Sequence, residues 1–427
     1  MTQQFAQWLS IVSPMATKHD RASRAVRGAS NAAPGRAGAP ASCGVAGECG
    51  GCSHVQEPYA DQLAAKDARM RDLFSAVFPS TDLRPIIGMD DPFHYRNKVT
   101  SPFAPGKRGP HGGRAILTGM YAPGSHRIVE TRACLVESEQ GQQVIAAVKA
   151  IMLKHGIAPY DEDRGTGFLR HAVVRVGHES GEVLVTLVTN GEAFPSSKQF
   201  CRELVKRCPF VTTVVQNVNT RQTNVILGDR EQRLYGPGFI LDTLCGLSFR
   251  ISSKSFYQVN AVQTAVLYET AIGLARLDGA QSVVDAYCGT GTIGLVAAKR
   301  SAAQVIGVDS VEAAIRDARE NARHNGVENA RFAAADATEF MRDLAADGER
   351  VDVVLMDPPR AGSTPEFLDA CAQLAPARVV YISCNPDTQL RDLRHLAGNG
   401  YAVETIQPVD MFPHTDHVET VALLSRR

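Results

Sequence analysis

The chain has 427 residues, 44% hydrophobic and 21% charged, which gives length and apolar content for two or three domains with sizeable cores. No apolar run reaches the roughly 18 residues of a spanning helix, and the first residues lack the order of a secretory signal, so neither membrane insertion nor secretion is indicated and a cytoplasmic location is expected. Lys plus Arg and Asp plus Glu each number 45, so overall charge offers no argument for a polyanionic partner, and ten cysteines in a chain of this size suggest metal ligands, catalysis or buried thiols rather than a disulfide scaffold.

In chain order, residues 1–42 are rich in Ala, Gly, Ser and Arg and lack an apolar period, which predicts a disordered, mildly basic tail. Cys43, Cys49 and Cys52 follow, and then Leu63, Met70, Leu73, Phe74 and Val77 mark an amphipathic helix over about 56–77. Residues 43–82 thus form a cysteine segment with its helix. Residues 83–250 carry short β-branched runs, such as Glu182 to Val188 and Val211 to Val215, separated by Gly, Pro and Asn turns. These predict a smaller, sheet-rich α+β middle domain. Within it, Phe93 to Ala115 holds Arg96, Lys98, Lys107, Arg108 and Arg114 and no acid. Such a segment suits a phosphate backbone, or is an ordinary solvated loop.

Residues 251–427 alternate strand and helix. Ser282 to Tyr287, Gln304 to Asp309, Ala330 to Ala335, Val351 to Met356 and Arg378 to Ser383 read as strands with helical stretches between them. This rhythm predicts an α/β fold, a doubly wound, mostly parallel, Rossmann-like sheet. Tyr401 to Ile406 and Glu419 to Leu424 lack a long helix between them and are expected to form an antiparallel edge.

The first of these strands enters a turn containing Gly289, Gly291 and Gly294, where a ligand can approach the backbone. The second ends at Asp309, placed to accept from ribose hydroxyls of an adenosine-bearing cofactor. The turn lacks the Gly-Lys-Ser/Thr that would close a triphosphate loop. Asp336 and Asp357 end the next two strands, and each acid alone reads equally as a helix N-cap. The fifth strand delivers Cys384, followed by Asn385-Pro386. A helix beginning near Pro386 would favour its thiolate, whereas a lone cysteine is otherwise a small buried hydrophobe.

Ser383-Cys384-Asn385-Pro386, the run Asp410-Met411-Phe412-Pro413-His414-Thr415 with His417 and Glu419, Ser255-Phe256-Tyr257-Gln258-Val259-Asn260 and Tyr95-Arg96-Asn97-Lys98 together resemble the RNA 5-methyluridine (uracil-C5) methyltransferase family. With the early cysteines the resemblance covers nearly everything after residue 42. It implies a class I methyltransferase domain using S-adenosyl-L-methionine, with Cys384 as covalent nucleophile and Glu419 as the base that removes the carbon 5 proton. A glutamate of ordinary pKa is already ionised at neutral pH, so its position is expected to matter more than its tuning. The family pattern assigns cofactor contacts to Gln258, Tyr287, Asp309 and Asp357, with Thr292 and Asp336 at more variable positions, and assigns Phe256 to the target base, although Phe256 alone reads equally as core.

Cys43, Cys49, Cys52 and the distant Cys134 can supply four thiolates, and their spacing leaves zinc and iron-sulfur open. The resemblance implies a [4Fe-4S] cluster. Cys201, Cys208, Cys245, Cys288 and Cys371 read as structural. The expected partner is RNA, with 23S rRNA ahead of the tRNA T-loop, because the resemblance is to a 23S branch that carries the cluster and has no N-terminal TRAM barrel; the alternative of another class is a non-catalytic RNA-binding iron-sulfur protein on the same scaffold, against which the pair Cys384 and Glu419 speaks. No protein partner is inferred, and a monomer is the default.

Overall fold

A computed structural model describes residues 42–108, 114–301 and 303–427. The expected tail up to residue 41 and the 109–113 stretch of the basic segment lie outside the described residues. The elements in chain order are α1 (Tyr59–Ser75), β1 (Asp82–Leu83), β2 (Lys98–Arg108), β3 (Arg114–Tyr121), β4 (Ile128–Glu130), α2 (Glu139–His155), β5 (Leu169–Val176), β6 (Val183–Thr189), α3 (Ser197–Arg207), β7 (Val211–Val218), β8 (Arg230–Tyr235), β9 (Ile240–Leu244) and β10 (Leu247–Ile251). There follow α4 (Ala261–Ala275), β11 (Ser282–Ala286), α5 (Thr292–Ser301), β12 (Gln304–Asp309), α6 (Glu312–His324), β13 (Ala330–Ala334), α7 (Ala337–Ala346), β14 (Val353–Met356), α8 (Pro365–Leu374), β15 (Arg378–Ser383), α9 (Pro386–Gly398), β16 (Tyr401–Val409) and β17 (Glu419–Arg426).

Among the described residues, β2 to β8 except the connecting helices form a seven-stranded sheet in the order β4-β3-β2-β5-β6-β7-β8. Its pairs are antiparallel apart from β6 and β7, between which α3 makes the crossover that a parallel pair requires. Helices α2 and α3 bury Val144, Val148, Ile151, Phe200 and Leu204 against Val174, Val185 and Leu187 of this sheet. Local chemistry fixes the ends of α2: Ser138 accepts from the Gly141 amide, and Gly156 takes the left-handed conformation at the C-terminus.

The second sheet has eight strands in the order β1-β16-β17-β15-β14-β11-β12-β13. Alternation along its buried strands splits the core in two: Val283, Leu355, Val380 and Ile382 face one layer of helices, while Val284, Val354, Val379 and Tyr381 face the other. Leu244, Leu247 and Phe249 of the β9–β10 ribbon pack in the first of these layers. Strands β16 and β17 are antiparallel, as expected, but they are not the edge. Strand β17 is wedged between β15 and β16, and β16 is capped by β1, which pairs Asp82 with Thr405 and Leu83 with Ile406. A two-residue strand leaves no period to read, so the sequence could not announce this cover.

Helix α1 also differs from expectation. Its buried stripe is Gln62, Lys66, Met70 and Phe74, so two of the four positions are polar, while Leu63, Leu73 and Val77 are only partly buried. No helix among the described residues is long and apolar enough to cross a membrane.

Candidate active site and a thiol-lined cavity

Parallel strands deliver their carboxyl ends to one edge of the sheet, and a ligand crevice forms there. At the end of β11 the chain turns through Tyr287 (φ 63°), Gly289 (φ 54°) and Gly291 (φ 78°). A Cβ on Gly291 would lie 2.7 Å from the Phe332 ring, so this position admits glycine alone. Asp309 organises the turn, its Oδ2 accepting from the Gly289 amide (2.9 Å) and its Oδ1 from the Val311 amide (2.8 Å). Asp285 ties the turn to the first turn of α5 by accepting from the Gly294 amide at 2.9 Å.

Strands β15 and β17 bring the chemistry together. Their last paired couple is Ser383 with Thr420, so one step further Cys384 and Glu419 stand across from one another, at the ends of strands far apart in sequence. Glu419 is in turn paired with Val409 of β16. Asn385 precedes α9, Pro386 opens it as expected, and the Asn385 Nδ2 donates to the Arg360 carbonyl at 3.1 Å.

A cavity of about 1170 Å³ collects Cys384, Glu419, Phe256, Gln258, Tyr287, Asp309 and Asp357, together with Arg360 and His417. Phe256 is 72% exposed, which rules out the core reading and leaves an aromatic face at the cavity. Its loop is anchored by Arg175, whose Nη2 donates to the Ser255 carbonyl at 2.7 Å, and by Asn97, whose Nδ2 donates to the Gln258 carbonyl at 3.0 Å. Thr292 and Asp336 do not line this cavity. The Asp336 carboxylate caps α7, accepting from the Thr338 and Glu339 amides, although its charge still reaches the Tyr287 hydroxyl. The Thr292 hydroxyl lies 3.3 Å from that of Thr290.

Two electrostatic expectations need correction. Glu419 is 4% exposed, and burial, with the Asp357 charge adding, pushes its carboxyl up to about 8; it is not a ready-ionised acid at neutral pH. The Cys384 thiol is held above its ordinary range by burial and by Glu419 and Asp357, against the pull of Arg360. Burial is the largest of these effects. Burial likewise raises Asp357 to about 7.

The loop that leads into Glu419 is clamped from the N-terminal side. Lys66 Nζ donates to Asp410 Oδ1 (2.7 Å), the Tyr59 hydroxyl donates to Asp410 Oδ2 (2.8 Å), and Gln62 Oε1 accepts from the His414 amide (3.0 Å). The Ser53 and His54 amides both donate to the His414 carbonyl, directly after Cys52.

Cys43, Cys49, Cys52 and Cys134 line a second cavity of about 360 Å³, and all are free thiols. The Gly51 amide donates to Cys49 Sγ at 3.4 Å. Burial pushes Cys52 up to about 12 and Cys134 up to about 11, and the other three cysteines raise Cys52 further. Among the described residues, no group of three or more His, Cys, Asp or Glu side chains is drawn close enough to hold a single metal ion. Arg96, Met120 and Glu137 line both cavities and so form a shared wall. Cys201, Cys208, Cys288 and Cys371 are buried and Cys245 is partly so.

The cavity also recruits Arg360 and His417, to which the sequence alone assigns no role; a cation three residues after Asp357 and a histidine two residues before Glu419 are the signals that point to them.

A doubly wound sheet with a glycine turn and acids at successive strand ends defines a class I S-adenosylmethionine-dependent methyltransferase. Residues 243–427 match the family model described as tRNA (uracil-5-)-methyltransferase. An uncharacterized RNA methyltransferase of Halalkalibacterium halodurans is 44% identical over 395 residues, covering 92% of this chain and 84% of the relative; another, from Bacillus cereus, is 42% identical over 388 residues, covering 90% and 83%. Among solved structures, the Pyrococcus abyssi tRNA (uracil-54, C5)-methyltransferase in complex with S-adenosyl-L-homocysteine superposes with a TM-score of 0.72 at 29% identity, covering 88% of this chain and 86% of that one. The chain belongs to the RNA uracil-C5 methyltransferase family and is an RNA methyltransferase.

Proposed function

We propose that the protein methylates carbon 5 of one uridine in RNA through a transient bond between Cys384 and carbon 6 of the ring, with 23S rRNA as the substrate. The observation that carries this reading is the facing placement of Cys384 and Glu419 at the ends of β15 and β17, in one cavity with the exposed ring of Phe256.

The residues fit S-adenosylmethionine: a glycine turn open to the crevice, Asp309 beside it, Gln258 and Tyr287 on the wall, and in Asp357 a carboxyl that desolvation penalises and a neighbouring cation would relieve. That cosubstrate supplies an electrophilic methyl group. Carbon 5 of uracil is too weak a nucleophile to take it unaided, and Cys384 corrects this. Its thiol gives a proton to solvent, the sulfur bonds to carbon 6, and the ring electrons pass to an enolate. Carbon 5 then takes the methyl carbon as the sulfonium–methyl bond breaks, leaving S-adenosylhomocysteine. Glu419, as carboxylate, removes the carbon 5 proton, the carbon 6–sulfur bond breaks, and the thiolate is released. A base near pKa 8 removes that proton more readily than an ordinary glutamate would, at a cost in ionised fraction at pH 7. Phe256 offers a face on which a uracil swung out of its stack can rest.

The four thiols around the second cavity suit a [4Fe-4S] cluster, whose positive iron would offset the burial and the lesser mutual repulsion that raise Cys52, and whose sulfur ligands favour amide donors such as Gly51. Such a cluster would tie the N-terminal segment to the middle sheet and belongs with the 23S branch that the sequence resembles. We assign 43–82 to this cysteine segment, 83–250 to RNA binding and 251–427 to methyl transfer, in the cytoplasm. A second reading, methylation of the tRNA T-loop, is favoured by the likeness to the Pyrococcus abyssi tRNA (uracil-54, C5)-methyltransferase.

One experiment addresses both mechanism and substrate. Glu419→Gln incubated with S-adenosylmethionine and total RNA is expected to accumulate a protein–RNA adduct stable on a denaturing gel, and sequencing the attached RNA names the uridine. Adduct that persists in Cys384→Ala/Glu419→Gln would refute the nucleophile, and adduct on T-loop fragments alone would replace 23S rRNA by tRNA.

A further inference from the structure

Lys98 and Arg175 are direct partners in the antiparallel pairing of β2 with β5. Side chains opposite each other on neighbouring strands share a face, and like charges so placed destabilise the sheet. Both cations are also withdrawn from water. Arg175 is 9% exposed, and its Nε has no partner; burial lowers its guanidinium to about 10. Lys98 is partly buried and lowered by desolvation first and by Arg175 second.

No carboxylate relieves the pair. Lys98 has neither a hydrogen bond nor an ion pair among the described residues, and Arg175 spends Nη2 on the Ser255 carbonyl at 2.7 Å. The acids on this side of the catalytic cavity are committed elsewhere: Glu231 Oε1 accepts from Asn217 (2.9 Å) and Ser253 (2.6 Å), while Glu137 faces Arg96 and Cys134. Two desolvated cations, opposed across a strand pair and without a counter-ion, form a site that lacks its anion.

Lys98 lines the same cavity as Cys384, Glu419 and Phe256, and Thr100, two residues on and on the same face of β2, lines it as well. Arg175 holds the backbone one residue before Phe256. We propose that Lys98, backed by Arg175, binds a backbone phosphate of the RNA beside the everted uridine, which makes it a substrate-positioning residue of the cavity. The inference rests on the RNA-methylating reading above. An RNA phosphodiester is the anion that this reading brings to the cavity, where Lys98 is the member of the pair that lines it.

The test is the salt dependence of RNA binding. A fluorescent single-stranded RNA containing uridine is titrated with wild type, Lys98→Gln and Lys98→Arg from about 50 to 300 mM salt. Loss of one phosphate contact is expected to make the log-affinity against log-salt slope shallower by about 0.7 and to weaken binding about tenfold at the low-salt end. Lys98→Arg should keep the wild-type slope. Thermal melting gives a second readout: Lys98→Gln should melt at or above the wild-type temperature, because a like-charge pair has been relieved, whereas a merely structural lysine would leave a less stable fold. An unchanged slope in Lys98→Gln overturns the assignment while wild-type binding still stands. Wild type that does not bind RNA would instead overturn the underlying reading along with it.

Discussion

Glu419 differs from an ordinary glutamate through burial beside Asp357, and the difference has a sign. Its carboxyl is raised from 4.5 to about 8, so the folded state retains a proton that the unfolded chain releases. Folding therefore loses stability as pH rises from the unfolded value through about 8, and the loss is complete above that. By linkage the cost is about 3–5 kcal/mol at alkaline pH. Glutamine cannot ionise, so Glu419→Gln is expected to melt several degrees above wild type at pH 9 and level with it at pH 4; an equal difference at both values would show that Glu419 is not held protonated. The identity of this residue is legible in its motif. Its titration is not, because nothing local in the sequence says that β17 lies between β15 and β16, where Glu419 is buried. Phe256 gives no local sign of its exposure, which depends on a loop pinned by Asn97, just before β2, and by Arg175 of β5.

Helix α1 shows how an element outside the methyltransferase sheet governs its geometry. Lys66 and Asp410 are 6% and 0% exposed, and removing one partner of a buried pair leaves the other charge uncompensated. Lys66→Met should cost about 3–5 kcal/mol, measured by denaturant unfolding, and Lys66→Met/Asp410→Leu should recover much of it; a double variant no better than the single one would mean that helix packing and not the ion pair carries the effect. The strand and helix rhythm from Ser282 to Ser383 is legible because β11, β12, β14 and β15 are β-branched runs, mostly buried, each ending at a glycine turn, an acid or Cys384, whereas β13, Ala330–Ala334, has no β-branched residue and is placed by its acid Asp336. The polar stripe of α1 is not, because Lys66 bonds to Asp410 and Gln62 to His414, residues about 350 positions away, beside the local bonds of Gln62 to His54 and Glu57. Strand β1 leaves no local signal for the same reason: it exists by pairing with β16.

For the molecule as a whole, the two cavities share a wall of Arg96, Met120 and Glu137, so the thiol group and the catalytic crevice are structural neighbours. Protein purified without oxygen is expected to carry iron and acid-labile sulfide, and Cys52→Ser to lose both with a lower melting temperature. Stoichiometric zinc without sulfide in the wild type would replace the cluster by a single-metal site. The clamp on the 410–417 loop has a further consequence, for biosynthesis. Asp82 pairs with Thr405 and Lys66 with Asp410, so the earliest described elements leave the ribosome with their partners still untranslated, a wait of roughly 20–60 s at common elongation rates. Through that interval Met70 and Phe74, both buried in the finished protein, have no surface to cover them, and the nascent chain becomes a natural client for a holding chaperone.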